Sequence, residues 1–189
     1  VLLDLKASVD KAVETIEEAA REGTQLLVFP EAFLPGYPTW IWRLKPGGDI
    51  GLGNAIHNTL RQNSVDITRG DLDPVCEAAA RHNMIVVMGM NEIDSEFSGS
   101  TLFNTVVVIG NDGTLLNRHR KIMPTNPERM VWGFGDASGL QVVDTPVGRI
   151  GCLICWENYM PLARYALYAQ DIDIYIAPTW DSGDTWIAS

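Results

Sequence analysis

The stretch that most constrains the fold is residues 148–168, GRIGCLICWENYMPLARYALY, where a mostly apolar run hands over to a helix. Residues 149–155 follow a Pro-Val-Gly turn and have the pattern of a short buried strand. From Met160 the apolar spacing changes to Leu162, Tyr165, Ala166 and Ala169, one face of a helix, with Pro161 in its first turn. A strand feeding a helix in this way is the repeating unit of α/β proteins, and Cys155 is expected at the corner. Backbone N–H groups at such a corner are unpaired, so a side chain there can meet a substrate while the amides bind a developing oxyanion. Cys155 is therefore a candidate nucleophile. On position alone it can equally be a buried core cysteine behaving as a small hydrophobe.

The rest of the chain alternates in the same manner. Ser8 is expected to cap a helix whose stripe is Val9, Ala12, Val13, Ile16, Ala19 and Ala20, closed by Gly23. Residues 25–29 read as a buried strand stopping at Pro30, which leaves Glu31 on a loop at its carboxyl end. Residues 54–62 and 74–82 read as helices, the second with Val75, Ala78 and Ala79 inward, and 85–90 as another buried strand. Asn111-Asp112-Gly113 joins runs 103–109 and 114–119 into a hairpin, after which Lys121 opens a long loop rich in Pro and Gly. A second hairpin pairs 140–144 with 149–155, residues 172–177 form the last strand, and 178–189 are a polar and aromatic loop. Helices alternating with strands, plus two hairpins, predict an α/β domain with a mixed sheet, and the 189 residues are read as one domain.

The formal net charge of −10 argues against nucleic acid or an anionic membrane as partner, because both require clustered Lys and Arg. No apolar run approaches a membrane span, and no charged-then-apolar leader pattern is present. Three cysteines cannot all pair, and such sparse use fits the reducing cytoplasm.

Glu31, Lys121 and Cys155 are expected at the ends of three different strands, and α/β sheets bind ligands beyond the carboxyl ends of their strands. Carboxylate, ammonium and thiol form a workable set: the carboxylate takes the thiol proton and the ammonium stabilises the negative charge. Solvated loop charges are the alternative for Glu31 and Lys121. Cys152-Leu-Ile-Cys155 is a CxxC, but residues three apart on a strand point to opposite faces, so these thiols are not expected to meet. His57, His82 and His119 lack metal-ligand spacing; His119 is either a partner for Cys155 or a strand-end residue. There is no P-loop, GxGxxG or HExxH, and no metal or other cofactor is expected.

Three segments, FPEAFLPGYP around Glu31, HRKIMPTNPERMVWGFGD around Lys121 and GCLICWENYMPLARYALY around Cys155, together resemble the nitrilase branch of the carbon–nitrogen hydrolases. The resemblance covers nearly the whole chain. It implies Cys155 as nucleophile, Glu31 as general base, Lys121 as the cation at the tetrahedral intermediate, and Glu128 as a second glutamate near the site. It also implies that the Trp156 backbone N–H serves the oxyanion or its nitrogen equivalent. The implied fold is an α-β-β-α sandwich, the implied substrate a small-molecule nitrile, and the implied assembly a homo-oligomer through the helix after the cysteine. CWEN and PTNPER are closer to nitrilases than to amidases, while cyanide hydratases and dihydratases share much of the pattern; a catalytically silent interaction module on the same fold is the non-enzymatic alternative. All six tryptophans, Trp40, Trp42, Trp132, Trp156, Trp180 and Trp186, fall beyond strand ends, so they either line a pocket for an aryl or bulky aliphatic nitrile or pack loops and a subunit interface. The sandwich is expected to be truncated at both ends, since the first helix lacks a preceding strand and the chain stops within a loop.

Overall fold

The structure is a computed structural model, described here for residues 1–181 and 183. Helix α1 (Leu5–Arg21) is capped by Asp4, whose carboxylate accepts from the Ala7 N–H at 2.9 Å. The expected cap, Ser8, lies one turn further in, on the buried face with Val9, Ala12 and Ile16. An aspartate in extended backbone serves as a cap as well as serine does, so the sequence offered two starts one turn apart.

The first sheet has the order β1-β2-β3-β4: β1 (Leu26–Val28) parallel to β2 (Ile85–Ile93), then β3 (Leu102–Ile109) and β4 (Leu115–Arg120) antiparallel. β1 is a half-buried edge strand with Val28 exposed, not the fully buried strand its apolar run suggested. β2 is buried along nearly its whole length and runs three residues past its expected end. Its alternation feeds two cores. Val86, Met88 and Met90 pack with Val9, Ala12 and Ile16 of α1 and Val75, Ala78 and Ala79 of α3 (Asp73–Arg81). Ile85 and Val87, with Val106 and Val108 of β3, face the opposite way. That second face meets Ile150, Cys152, Ile154 and Ile176 of the other sheet, which explains why β2 reads as a continuous apolar run.

The second sheet has the order β5-β6-β7, with β5 (Val143–Thr145) antiparallel to β6 (Gly148–Cys152) and β7 (Ile174–Ile176) parallel to it. Its outer side is covered by α4 (Pro161–Tyr168) through Ala163 and Leu167, packed with Leu153, Ile172 and Tyr175. Helices, sheet, sheet and helix thus form the α-β-β-α sandwich. The remaining helix, α2 (Ile50–Gln62), starts four residues before its expected position.

The buried face of α4 is not the one its apolar spacing suggested. Leu162 is 83% exposed and Tyr165 68%, whereas Ala163 and Leu167 are buried. Small Ala163 admits close approach, and Leu167 seats against Gly151, where a side chain would crowd it. Among the described residues no helix is long and apolar enough to cross a membrane.

Candidate active site

Glu31 and Lys121 are delivered by the carboxyl ends of two strands. Glu31 follows β1 on a loop laid directly over Gly89 of β2, where an added Cβ would stand 2.2 Å from the Pro30 carbonyl and 3.0 Å from Glu31 Cα. Only glycine allows that approach. The loop is tied down by Phe29 N–H to Val87 O at 2.8 Å and Leu34 N–H to Gly89 O at 3.2 Å. Lys121 directly follows β4; its N–H donates to Asn104 O at 2.8 Å, and its carbonyl accepts from Gly135 N–H at 2.9 Å.

Cys155 does not end a strand. β6 stops at Cys152, and Cys155 opens a 3-10 turn (Cys155–Tyr159) with φ +50, a left-handed conformation rare for residues other than glycine. Its N–H donates to Pro178 O at 3.0 Å, and its carbonyl accepts from the Asn158 side-chain amide at 2.6 Å. Strained backbone of this kind persists only where its surroundings fix it, and it is concentrated at functional sites. Cys152 and Cys155 both belong to the core between the sheets and both are free thiols, as is Cys76.

Glu31, Lys121 and Glu128 meet in one ion cluster. Lys121 Nζ donates to Glu31 Oε1 at 2.9 Å and Glu128 Oε2 at 2.8 Å, with all three side chains buried. Glu31 also accepts from Asn104 Nδ2 at 2.8 Å and the Trp180 N–H at 2.8 Å. Glu128 accepts from the Tyr37 hydroxyl and the Thr125 N–H, both at 2.6 Å. Burial raises the Glu31 pKa above the ordinary carboxylate range, and the Glu128 charge adds to this, against the opposing pull of Lys121. Burial works against the Lys121 ammonium, but the two carboxylates outweigh it and hold its pKa above the usual lysine range. The Cys155 thiol is pushed up to about 12 by burial and then by the Glu31 charge, while Lys121 and the Trp156 backbone N–H pull it down. The thiol is thus protonated at rest, beside the Lys121 ammonium.

Cys155 and Glu128 lie on a cleft of about 450 Å³ walled by Tyr37, Trp42, Trp156 and Trp180. Tyr37 stacks on Trp180 with ring centroids 4.3 Å apart, and its hydroxyl accepts from Trp42 Nε1 at 3.1 Å. Three of the five described tryptophans therefore face the cleft. Trp132 is buried, donating to Asn91 Oδ1 at 2.9 Å, and Trp40 packs beside it in the same core cluster; Trp186 lies outside the described residues. His119 is no partner for Cys155: its Nε2 lies 3.0 Å from Glu157, and both side chains are fully buried. Asn104, Tyr37 and Glu157 escaped the reading of single residues. Each acts through a contact distant in sequence, and no local spacing marks it.

This combination defines the class: an α-β-β-α sandwich with a thiol set beside a carboxylate–ammonium–carboxylate cluster at its strand ends. The profile of the Carbon-nitrogen hydrolase family matches residues 1–188, and the chain belongs to that family. It is 44% identical over its whole length to the bifunctional nitrilase/nitrile hydratase NIT4B of Nicotiana tabacum, covering 53% of that protein. It is 41% identical to nitrilase 2 of Arabidopsis thaliana, with 98% of the chain and 54% of the relative aligned. The chain spans about half the length of these curated relatives. Among solved structures, Nit3 of Saccharomyces cerevisiae, a nitrilase-superfamily member, superposes with a TM-score of 0.73 at 22% identity, covering 96% of this chain and 61% of that one. That match supports the fold.

Proposed function

We propose that the protein hydrolyses an organic nitrile to the carboxylic acid and ammonia, with Cys155 as nucleophile, Glu31 as general base and Lys121 as the stabilising cation. The observation that carries this reading is the buried Glu31–Lys121–Glu128 cluster placed beside Cys155 at the cleft. Its electrostatics suit the task. A thiol with a pKa near 12 does not ionise by itself at neutral pH, so its proton must leave as sulfur attacks, and a carboxylate of raised pKa is matched to receive it.

Sulfur bonds to the nitrile carbon, one carbon–nitrogen π bond breaks, and nitrogen receives the proton, giving a thioimidate. Glu31 then takes a proton from water as the oxygen adds to that carbon. Lys121 and the Trp156 backbone N–H stabilise the charge of the tetrahedral intermediate. Cleavage of the carbon–nitrogen bond, with protonation of the leaving nitrogen, releases ammonia and leaves a thioester. A second water hydrolyses it to the acid and restores the thiol. Glu128, anchored by Tyr37 and Thr125, holds the ammonium in place. Cleavage of the carbon–sulfur bond from the same intermediate gives the amide instead, the product implied by the nitrile hydratase half of the tobacco relative's name.

The aromatic cleft favours an aryl or bulky aliphatic nitrile over cyanide, which would leave most of its volume unfilled. The exposed Leu162 and Tyr165 face of α4 supports association with a second copy, which Leu162→Lys would weaken in sedimentation. Three free thiols fit a cytoplasmic setting. The deciding experiment measures ammonia and amide released from benzonitrile, phenylacetonitrile, a dinitrile, cyanide and the matching amides, with Cys155→Ala as control. Turnover of a nitrile that vanishes in Cys155→Ala is expected. Turnover of amides alone would make it an amidase, of cyanide alone a cyanide hydratase, and none at all would favour an interaction module.

A further inference from the structure

Glu157 is fully buried two residues beyond Cys155. Its Oε2 accepts from the Ile154 N–H at 2.8 Å and its Oε1 from the Ile122 N–H at 2.6 Å. His119 Nε2 lies 3.0 and 3.2 Å from the two oxygens and must be the donor, because a carboxylate has no proton to give. Among the described residues, His119 Nδ1 is buried without a hydrogen-bond partner.

The bond to Ile154 is local, a residue in the first turn reaching back to the residue before it, as many helix starts do. The other two bonds are not local. Ile122 follows Lys121 where β4 leaves the first sheet, and Ile154 precedes Cys155 where the chain leaves the second. One carboxylate therefore clamps two backbone N–H groups, each adjacent to one of the groups proposed to act on the substrate, and it bridges the two sheets. We infer that Glu157 is a positioning residue that fixes the spacing between the Cys155 thiol and the Lys121 ammonium, with His119 holding its carboxylate in place. The inference rests on the proposal that these two groups act on one substrate. The function requires a carboxylate: in either orientation a glutamine NH2 would face one of the two backbone N–H donors and the His119 N–H, losing a bond and opposing two donors.

The test compares Glu157→Gln, His119→Gln and His119→Ala with wild type in nitrile turnover and in iodoacetamide alkylation of Cys155 across pH, with thermal melts to confirm folding. Glu157→Gln should lower kcat on the order of 10–10²-fold with a much smaller change in KM, since misplacement of a reacting group by about 1 Å costs this much. Its Cys155 alkylation profile should move in the direction produced by Lys121→Met. His119→Gln, which keeps an N–H within reach of Glu157, should stay within roughly threefold of wild type, and His119→Ala should fall below it. A folded Glu157→Gln with wild-type kcat and alkylation profile, or with its loss confined to KM, would overturn the inference. If Glu157→Gln does not fold, the two His119 variants decide, and equal behaviour of the pair overturns it. Alkylation needs no substrate, so a wild-type protein inert toward every nitrile would sink the proposed reaction and leave the positioning test readable.

Discussion

Arg120 and Lys121 are adjacent in sequence, yet they serve two ion clusters of different balance, the first partly exposed through its arginines and the second buried. Arg120 donates to Glu92 and lies 3.5 Å from Asp94, with Arg118 also 3.2 Å from Glu92 and the Thr105 hydroxyl donating to it at 2.8 Å. Two guanidinium groups there face two carboxylates, and Arg120 further rests 3.9 Å above the Phe103 ring. Lys121 meets two carboxylates alone, and the remaining donors, Asn104, Tyr37, Thr125 and Trp180, are uncharged. The first cluster is balanced, two cations against two anions. In the second, beside Cys155, burial leads in raising the proton affinity of both Glu31 and the thiol, and the Glu128 charge adds to it at Glu31 and the Glu31 charge at the thiol, against the pull of Lys121.

Substitutions can break this contrast. The largest effect expected is from Cys155→Ala, which should abolish nitrile hydrolysis with little change in melting temperature, while Cys152→Ala and Cys76→Ala keep most activity. Ammonia release and thermal melts check it, and an active Cys155→Ala would end the nitrilase reading. Lys121→Met should lose on the order of 10²-fold or more in kcat, as with a lost oxyanion donor. It should also cost about 3–5 kcal/mol of stability in denaturant unfolding, because Glu31 and Glu128 are left buried without their cation. Glu31→Gln and Glu128→Gln should lower turnover too, the former more. The sharpest contrast is Glu92→Gln in the balanced cluster. It should lower stability by about 1–3 kcal/mol, the usual consequence of weakening a charged buried hydrogen-bond network, while kcat per folded molecule stays near wild type. Equal catalytic losses from Glu92→Gln and Glu31→Gln would erase the distinction between the clusters.

Much of this arrangement was legible in the sequence because it is local. The apolar run of β2, the Asn111-Asp112-Gly113 turn and the inward residues of α3 each follow from a spacing within one segment, and the structure keeps all three. The strand ends placed Glu31 and Lys121 correctly, and Cys155 within three residues. What the sequence did not carry depends on packing partners. The apolar residues of α4 offer two faces, and only the sheet beneath, with Gly151 under Leu167, selects Ala163 and Leu167. Glu157 looks like any charge in a turn until Ile122, His119 and Ile154 converge on it. Asn104 sits within β3 and gains its role only because the Glu31 loop crosses over β2 to meet it.

The smallest expected effect is the one that best tests how the two charges act on the thiol, because they pull in opposite directions. After burial, the Glu31 charge raises the Cys155 pKa and the Lys121 charge lowers it. Glu31→Gln should therefore move the midpoint of iodoacetamide alkylation to lower pH, and Lys121→Met should move it higher. The second shift is the weaker, since removing the ammonium lets one of the two neighbouring carboxylates take up a proton and cancels part of the change. The same shift has a stability counterpart. The folded thiol, with a pKa near 12 against an ordinary 9.0, binds its proton more tightly than the unfolded one. Its contribution is therefore complete below pH 9 and is lost as pH rises toward 12. Cys155→Ala should flatten the alkaline decline of stability in denaturant titrations. Cys152→Ala should do the same, because that thiol is also pushed up to about 12, by burial alone. The alkylation midpoint, unlike the stability titration, separates the two cysteines: it should respond to Glu31 and Lys121 at Cys155 and to neither at Cys152. Midpoints at Cys155 that stay fixed, or move the same way in both variants, would show that the cluster does not control the nucleophile.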